Sequence, residues 1–335
     1  MRKIVTAMAI VALAVIAFAG EDALGQGPKG KGPPPPPPDP AYVALSVPGL
    51  RIASHQDLAV EAIDIAVSAT RVTYTYRLTN LGTAELRLAA SIALPPLEVS
   101  SNEDETYRIA TGNAENPIGL SLTADGKPVD AKVIARAFAL DIDRIDEIKA
   151  LNLPLVPFGP EIEKALTGLA PDALARLTQL GIISPPDDQN SPRVADWNLN
   201  VIHTWDQVLP PDKTTTIAMT FQPVSGSFEL NDETTDVLDE LKEDTCLTDQ
   251  LIRTLKARVS KSPTPVTEFL ISIVNPTRWL DNPAPTITVE KPKPDTIVAL
   301  CGSNVKTSPT RVTAKVADDE TAEDLRVLLI GVAAQ

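Results

Sequence analysis

The clearest pattern in this 335-residue chain is an alternation of apolar and polar positions between residues 197 and 226. Trp197, Leu199, Val201, His203 and Trp205 share one parity, and Asn198, Asn200, Thr204 and Asp206 share the other. A period of two sends one row of side chains into a core and the other into water, so the segment predicts a strand. Pro210-Pro211-Asp212 interrupts it, because proline donates nothing to a ladder and these residues favour turns. Ile217, Met219 and Phe221 then resume the apolar parity until Pro223 and Gly226. Two arms around a short turn predict a β-hairpin.

The same period recurs nearer the N-terminus. Residues 57–65 and 72–78 predict strands, the second setting Val72, Tyr74, Tyr76 and Leu78 against Arg71, Thr73, Thr75 and Arg77. After Asn80-Leu81-Gly82 it returns at Leu86, Leu88, Ala90, Ile92 and Leu94, ending at Pro95-Pro96. That predicts a second hairpin with one wet face. Leu120 and Leu122, the turn Asp125-Gly126-Lys127 and residues 129–135 predict a third.

Between residues 141 and 183 the spacing becomes helical. Ile142, Ile145 and Ile148 lie three apart, and Ile162, Leu166 and Leu169 recur on one helical face. Pro171-Asp172 then opens a helix carrying Leu174, Leu177 and Leu180 and stopped by Gly181. This reads as a helical insertion between strands. Residues 237–241 and 248–259 form a second, shorter helical segment. Short strands at 269–274, 286–290, 297–301, 312–316 and 325–330, with turn residues between them, complete the chain. The fold class is therefore mainly β, with antiparallel sheets in a sandwich-like arrangement.

The N-terminus carries a different signal. Arg2-Lys3 precedes an apolar run from Ile4 to Phe18, and Ala17-Phe18-Ala19 is an A-x-A cleavage site. Residues 1–19 read as a secretory signal peptide; as a membrane anchor the run falls short of the ~20 residues a spanning helix needs. Residues 20–41 are a Gly/Pro-rich linker with six consecutive prolines, a spacer or a ligand for aromatic grooves. A β-rich domain at 42–228, with the insertion at 141–183, precedes a helix plus C-terminal β-rich domain at 229–335. The mature chain is expected in the periplasm or outside the cell, with no transmembrane segment.

Charge narrows the partners. The formal net charge is −14, which repels nucleic-acid phosphates, so no nucleic-acid partner is expected. Aromatics are only 4% of residues, so the core must rely on aliphatic side chains. The two cysteines, Cys246 and Cys301, suit a disulfide in an oxidising compartment. Closing their loop would contribute on the order of 4 kcal/mol. Two free buried thiols are the alternative. No histidine neighbours either cysteine, so no metal site is read there.

Few residues offer chemistry. His203, on the apolar parity, is either a general base or binding residue, or a buried imidazole bonded to backbone. His55 sits in Ser54-His55-Gln56-Asp57. No G-x-S-x-G nucleophile turn, phosphate loop, dinucleotide fingerprint or zinc motif occurs, so no cofactor and no catalytic residue are assigned. Asp141, Asp143, Asp146 and Glu147 lack the glycine and distal glutamate of a calcium loop, and read as a solvated acidic face. Trp279, in a polar proline-flanked loop, is a recognition anchor or a cover for the core's edge.

Four segments together resemble DUF4424, a bacterial exported family of unknown function. They are Asp57-Leu58 through Tyr74, Tyr76 and Asn80 to Pro95-Pro96; Trp205-Asp206-Gln207-Val208-Leu209-Pro210 through Phe221-Gln222-Pro223 to Gly226; Trp279 to Pro283; and Lys291 through Cys301-Gly302 to the last strand. The likeness runs from about residue 45 to the end, and the Trp205, Gln207, Pro210, Phe221, Pro223 and Gly226 pattern is its most specific part. Leu209 stands where the family is expected to show phenylalanine. Met219 stands where it often shows histidine, so the resemblance attaches no catalytic or metal role there. It implies export and a β-rich fold. The expectation is an exported, non-enzymatic envelope protein that binds or scaffolds an envelope protein or ligand. A hydrolase of an envelope polymer, using carboxylates and a histidine, is the alternative.

Overall fold

A computed structural model describes residues 41–99, 105–185, 193–272, 283–316 and 324–332. Residues 1–19, read from the sequence as a signal peptide, residues 20–40 of the expected linker, and Trp279 lie outside the described residues. The described chain is mostly β, with three sheets and no closed barrel. The eight-stranded sheet runs in the order Ser303–Thr307, Arg311–Lys315, Thr286–Glu290, Leu58–Ser68, Arg71–Asn80, Lys213–Phe221, Ser121–Ala124, Lys127–Pro128. The five-stranded sheet is Ile142–Asp143, Lys132–Ala139, Asn198–Leu209, Leu86–Ala93, Arg51–Ile52. The six-stranded sheet is Ile297–Leu300, Asp324–Ile330, Thr264–Ser272, Gly226–Leu230, Ala41–Tyr42, Glu105–Thr106. Neighbours are antiparallel except Thr286–Glu290 beside Leu58–Ser68 and Ala41–Tyr42 beside Glu105–Thr106.

The predicted parity holds along Arg71–Asn80, Leu86–Ala93, Asn198–Leu209 and Lys213–Phe221, but the predicted pairing does not. In Asn198–Leu209 every odd residue is buried, including His203, Trp205 and Gln207, while Ile202 faces out. Yet this strand pairs with Leu86–Ala93 and Lys132–Ala139, whereas Lys213–Phe221 pairs with Arg71–Asn80 and Ser121–Ala124. The two arms around Pro210-Pro211-Asp212 therefore belong to different sheets, and the hairpin expected over 197–226 is corrected to a crossing between sheets. The expected hairpin around Asn80-Leu81-Gly82 is likewise a crossing. The third is partly real: Ser121–Ala124 turns back on Lys127–Pro128, and the chain then leaves for the five-stranded sheet as Lys132–Ala139. An unanticipated hairpin joins Leu58–Ser68 to Arg71–Asn80.

The physical reason is that a period of two reports which face of a strand is buried, not which strand lies beside it. Inward residues of the five- and eight-stranded sheets meet in one apolar core, among them Ile92, Leu199, Tyr74, Ile217 and Met219. Each arm thus shows the same alternation whether its neighbour is in its own sheet or across the core.

The helical insertion takes the form of three helices, Ile145–Ala150, Pro160–Thr167 and Pro171–Gln179. Two begin on proline, which is at no disadvantage at a first-turn position whose N–H has no helical acceptor. Ile145 and Ile148 are buried, but Ile142 sits in the short Ile142–Asp143 strand and is half exposed, so it does not belong to their face. The insertion is tied to the sheet by the Trp197 indole Nε1–H, which donates to the Leu155 carbonyl at 2.7 Å.

The six-stranded sheet is covered on both faces. Leu325, Val327 and Leu329 enter the main core, whereas Leu328 and Ile330 enter a second core with Leu238, Leu241, Ile252 and Leu255. Those residues come from the helices Val237–Glu240 and Asp249–Val259 and the turn after the first of them. Thr248 caps the longer helix, its hydroxyl accepting the Leu251 N–H at 3.2 Å. Cys246, after the short helix Lys242–Thr245, is disulfide-bonded to Cys301 with a Cα–Cα distance of 5.0 Å. The alternative of two free thiols is thereby removed. Strands from both sides of residue 229 share the six- and eight-stranded sheets. Among the described residues, no helix is long and apolar enough to cross a membrane.

Candidate functional site

Three residues with amide or imidazole side chains, Asn80, His203 and Gln207, lie on apolar parities, and each had to be accommodated inside. Asn80 continues the inward row of Val72, Tyr74, Tyr76 and Leu78 and is 0% exposed. Its Nδ2 donates to the Ala84 carbonyl and to the Leu209 carbonyl, both at 2.9 Å, and its Oδ1 accepts the Gly82 N–H at 2.9 Å. One side chain thus fastens the 80–86 crossing to the end of Asn198–Leu209, where the next crossing starts. A buried carbonyl that loses its partner costs about 1–3 kcal/mol, which applies here to Leu209, the Ala84 bond being only part-buried.

Gln207 serves the neighbouring indole. Trp205 Nε1–H donates to Gln207 Oε1 at 3.0 Å, and Gln207 Nε2 donates to the Val208 carbonyl at 2.9 Å. A buried indole N–H needs an acceptor, and residues two apart on a strand share a face. The Trp-x-Gln spacing is what that contact requires.

His203 is the unsatisfied member of the three. It is 6% exposed, and its Nε2 has no hydrogen-bond partner. Burial pushes its pKa below the ordinary value, partly opposed by a hydrogen bond with the Glu115 backbone and by the Glu115 charge. No carboxylate is hydrogen-bonded to the ring among the described residues. The Nε2 atom is closed off from solvent, so it meets no substrate in this conformation. His55 lies at the surface, where its Nδ1 accepts the Asp57 N–H at 3.2 Å, with the Asp57 carboxylate 3.8 Å away. That is a local turn contact. The two histidines are not brought together, and the hydrolase alternative finds no base beside a nucleophile.

Two acidic residues of the insertion are paired as surface ions: Asp143 with Arg136 at 3.1 Å and Glu147 with Arg144 at 3.1 Å. Among the described residues no cluster of three metal-ligating side chains occurs. A shallow open groove lies along Pro171–Gln179, lined by Pro171, Leu174, Ala175, Thr178, Pro185 and Arg193. It includes neither histidine.

A family model, Domain of unknown function (DUF4424), matches residues 39–328. The chain belongs to that family. No curated protein matches it. One similar solved structure comes from Legionella pneumophila subsp. pneumophila str. Philadelphia 1 and is described as "a putative nutrient binding protein". It is 10% identical, covers 87% of this chain and 72% of its own, and has a TM-score of 0.43. In this DUF4424 chain, the motif residues Trp205 and Gln207 lie in Asn198–Leu209, Pro210 in the crossing, Phe221 at the end of Lys213–Phe221, Pro223 just after it, and Gly226 at the start of Gly226–Leu230 in the six-stranded sheet. Phe221 stacks on Tyr74 with centroids 6.2 Å apart. Gly226 is needed for close approach, since a Cβ there would lie 3.1 Å from the Tyr42 carbonyl oxygen. Asn80, which sequence reasoning passed over as a turn residue, carries the same signal as Gln207: a polar side chain on an apolar row.

Proposed function

We propose that this DUF4424 chain is an exported binding or scaffolding protein of the cell envelope that catalyses no reaction. The observation that carries the reading is the use made of the residues best suited to chemistry. Trp205 and Gln207 satisfy each other inside the sheet, and His203 is sealed without an acid partner. What the chain offers outward is a set of broad sheet faces and edges, the geometry of contact rather than turnover. Export is supported by the A-x-A site at Ala17-Phe18-Ala19 and by a disulfide bond, which persists in oxidising compartments.

The test is cell fractionation combined with crosslinking in intact cells. The reading expects an envelope-located chain whose N-terminus starts near Gly20 and which crosslinks to a defined partner. A chain retained in the cytoplasm with residues 1–19 attached would overturn export. Polymer hydrolysis abolished by His203→Gln, with the unfolding midpoint unchanged, would overturn the non-catalytic reading.

A further inference from the structure

The two edges of the eight-stranded sheet are unlike. One ends at Lys127–Pro128, where proline blocks further pairing. The other ends at Ser303–Thr307, which pairs only with Arg311–Lys315 and has all five residues exposed. Val305 there is 53% exposed, one of few large apolar side chains left in water.

Charge sets this edge apart as well. The chain has 44 acidic against 30 basic residues. Residues 284–316 reverse that balance, with Lys291, Lys293, Lys306, Arg311 and Lys315 against only Glu290 and Asp295. None of the five cations forms an ion pair among the described residues. Arg311 and Lys315 alternate with buried Val312 and Ala314, so they point outward, and Lys306 shares that face as the partner of Thr313. Val305 points to the opposite face. The acidic run Asp318-Asp319-Glu320 that follows in the sequence lies outside the described residues.

We infer that Ser303–Thr307 is a strand-addition site for an extended acidic segment of a partner protein. It rests on the reading of the chain as a binding protein and names the partner's chemistry. An added strand would run about 4.8 Å from this edge, with side chains alternating between the two faces. Carboxylates on one parity would meet Lys306, Arg311 and Lys315; apolar residues on the other would cover Val305. The recognised segment therefore alternates acidic with apolar residues. The same cations repel the identical edge of a second copy. The register shift between Ser303 and Lys306 and the left-handed Asn304 (φ 53°) act on any added strand and confine regular pairing on this edge to residues 305–307.

The experiment uses the full chain with two blocked hexapeptides, one alternating glutamate with valine and one alternating lysine with valine. Binding is read by fluorescence anisotropy, and protection of the amides at 303–307 by hydrogen exchange. The glutamate peptide should bind, protect these amides and weaken with added salt, while the lysine peptide should not bind. Val305→Pro, which removes a donor from an exposed strand, and the pair Lys306→Glu with Lys315→Glu should each weaken binding at least about tenfold. If Val305→Pro does not fold, the charge-reversed pair decides. Equal binding of both peptides, or glutamate-peptide binding that survives Val305→Pro, would overturn the proposal. So would binding that emerges only after Asp318, Asp319 and Glu320 are neutralised, which would make the chain's own segment the occupant. A cellular crosslink retained by Val305→Pro would leave the binding role standing while removing this edge from it.

Discussion

At residues 80–86 the chain passes from the eight-stranded to the five-stranded sheet, and at residues 300–303 it passes from the six-stranded back to the eight-stranded one. The first corner is open to solvent at Leu81 and residues 83–85 but is secured by hydrogen bonds from the single buried side chain of Asn80. The second lies near the surface and is secured covalently, Cys301 being joined to Cys246, an exposed residue on the helical cap. Gly302 completes that corner, because a Cβ there would lie 2.8 Å from the Lys315 carbonyl oxygen. The difference follows from solvent. The fully buried Asn80 amide meets little competing water, so non-covalent links suffice there. At the exposed Cys246 such links would be exchanged for water, and a crosslink acts instead by restricting the unfolded chain.

The largest expected effect comes from removing the covalent corner. Replacing Cys246 and Cys301 together by alanine should lower unfolding free energy by on the order of 4 kcal/mol, read from urea unfolding. Hydrogen exchange should rise first in the helical cap around Asp249–Val259 while the eight-stranded sheet stays protected, because the cap has its own apolar core. Uniform loss of protection would mean that the two corners are not independent.

Replacing Asn80 by alanine should cost roughly 2 kcal/mol, since the buried Leu209 carbonyl and two part-buried loop groups, the Ala84 carbonyl and the Gly82 N–H, lose their partner. Here exchange should rise at both Leu86–Ala93 and Lys213–Phe221, the strands that follow the two crossings. A loss confined to one of them would show that the amide holds only one crossing.

The smallest effect is in pH dependence, and its sign differs between the regions. His203, in the main core, has a folded pKa below its ordinary value of 6.5, mainly through burial. The unfolded chain then binds more protons, so stability falls as pH drops below 6.5 toward the folded value. Glu268 lies on the second-core face of its strand, 3.4 Å from Arg326, which also meets Asp244 of the cap at 3.2 Å. Burial raises its pKa above 4.5, against the pull of Arg326 and with the push of Asp244. The folded chain then binds more protons, so this term is lost as pH rises from 4.5 through the folded value. Unfolding curves across pH should show His203→Gln flattening the first slope and Glu268→Gln the second. Unchanged slopes would remove both groups from the linkage.

Much of this fold could be read from the chain, and the reason is local. The alternation in Val72–Leu78 or Trp197–Trp205 depends only on each strand having one dry face. The insertion and the Thr248-capped helix announced themselves by three- and four-residue spacing and by prolines at helix starts. Pairing was not legible, because the partner of Asn198–Leu209 lies more than a hundred residues away in Leu86–Ala93 and has the same alternation as the rejected neighbour Lys213–Phe221. The candidate site was legible in one respect: His203 stood out as a polar residue on an apolar row, whereas Asn80 was read as a turn residue and Gln207 only as part of the family pattern. Whether such a residue is satisfied depends on groups brought by other strands, and the spacing does not report them.

By itself the sequence determined the class of the fold, the faces of its strands, the place of its helices and the acidity of the whole. These rest on period, turn chemistry and composition, which act over a few residues or as a sum. Only the tertiary structure decided that the arms around Pro210-Pro211 part into different sheets, that Asn80 closes over both crossings, and that Ser303–Thr307 becomes a bare, cation-lined edge. Those outcomes depend on which strands compete for one another's edges across the whole chain, a choice that no stretch of residues makes alone.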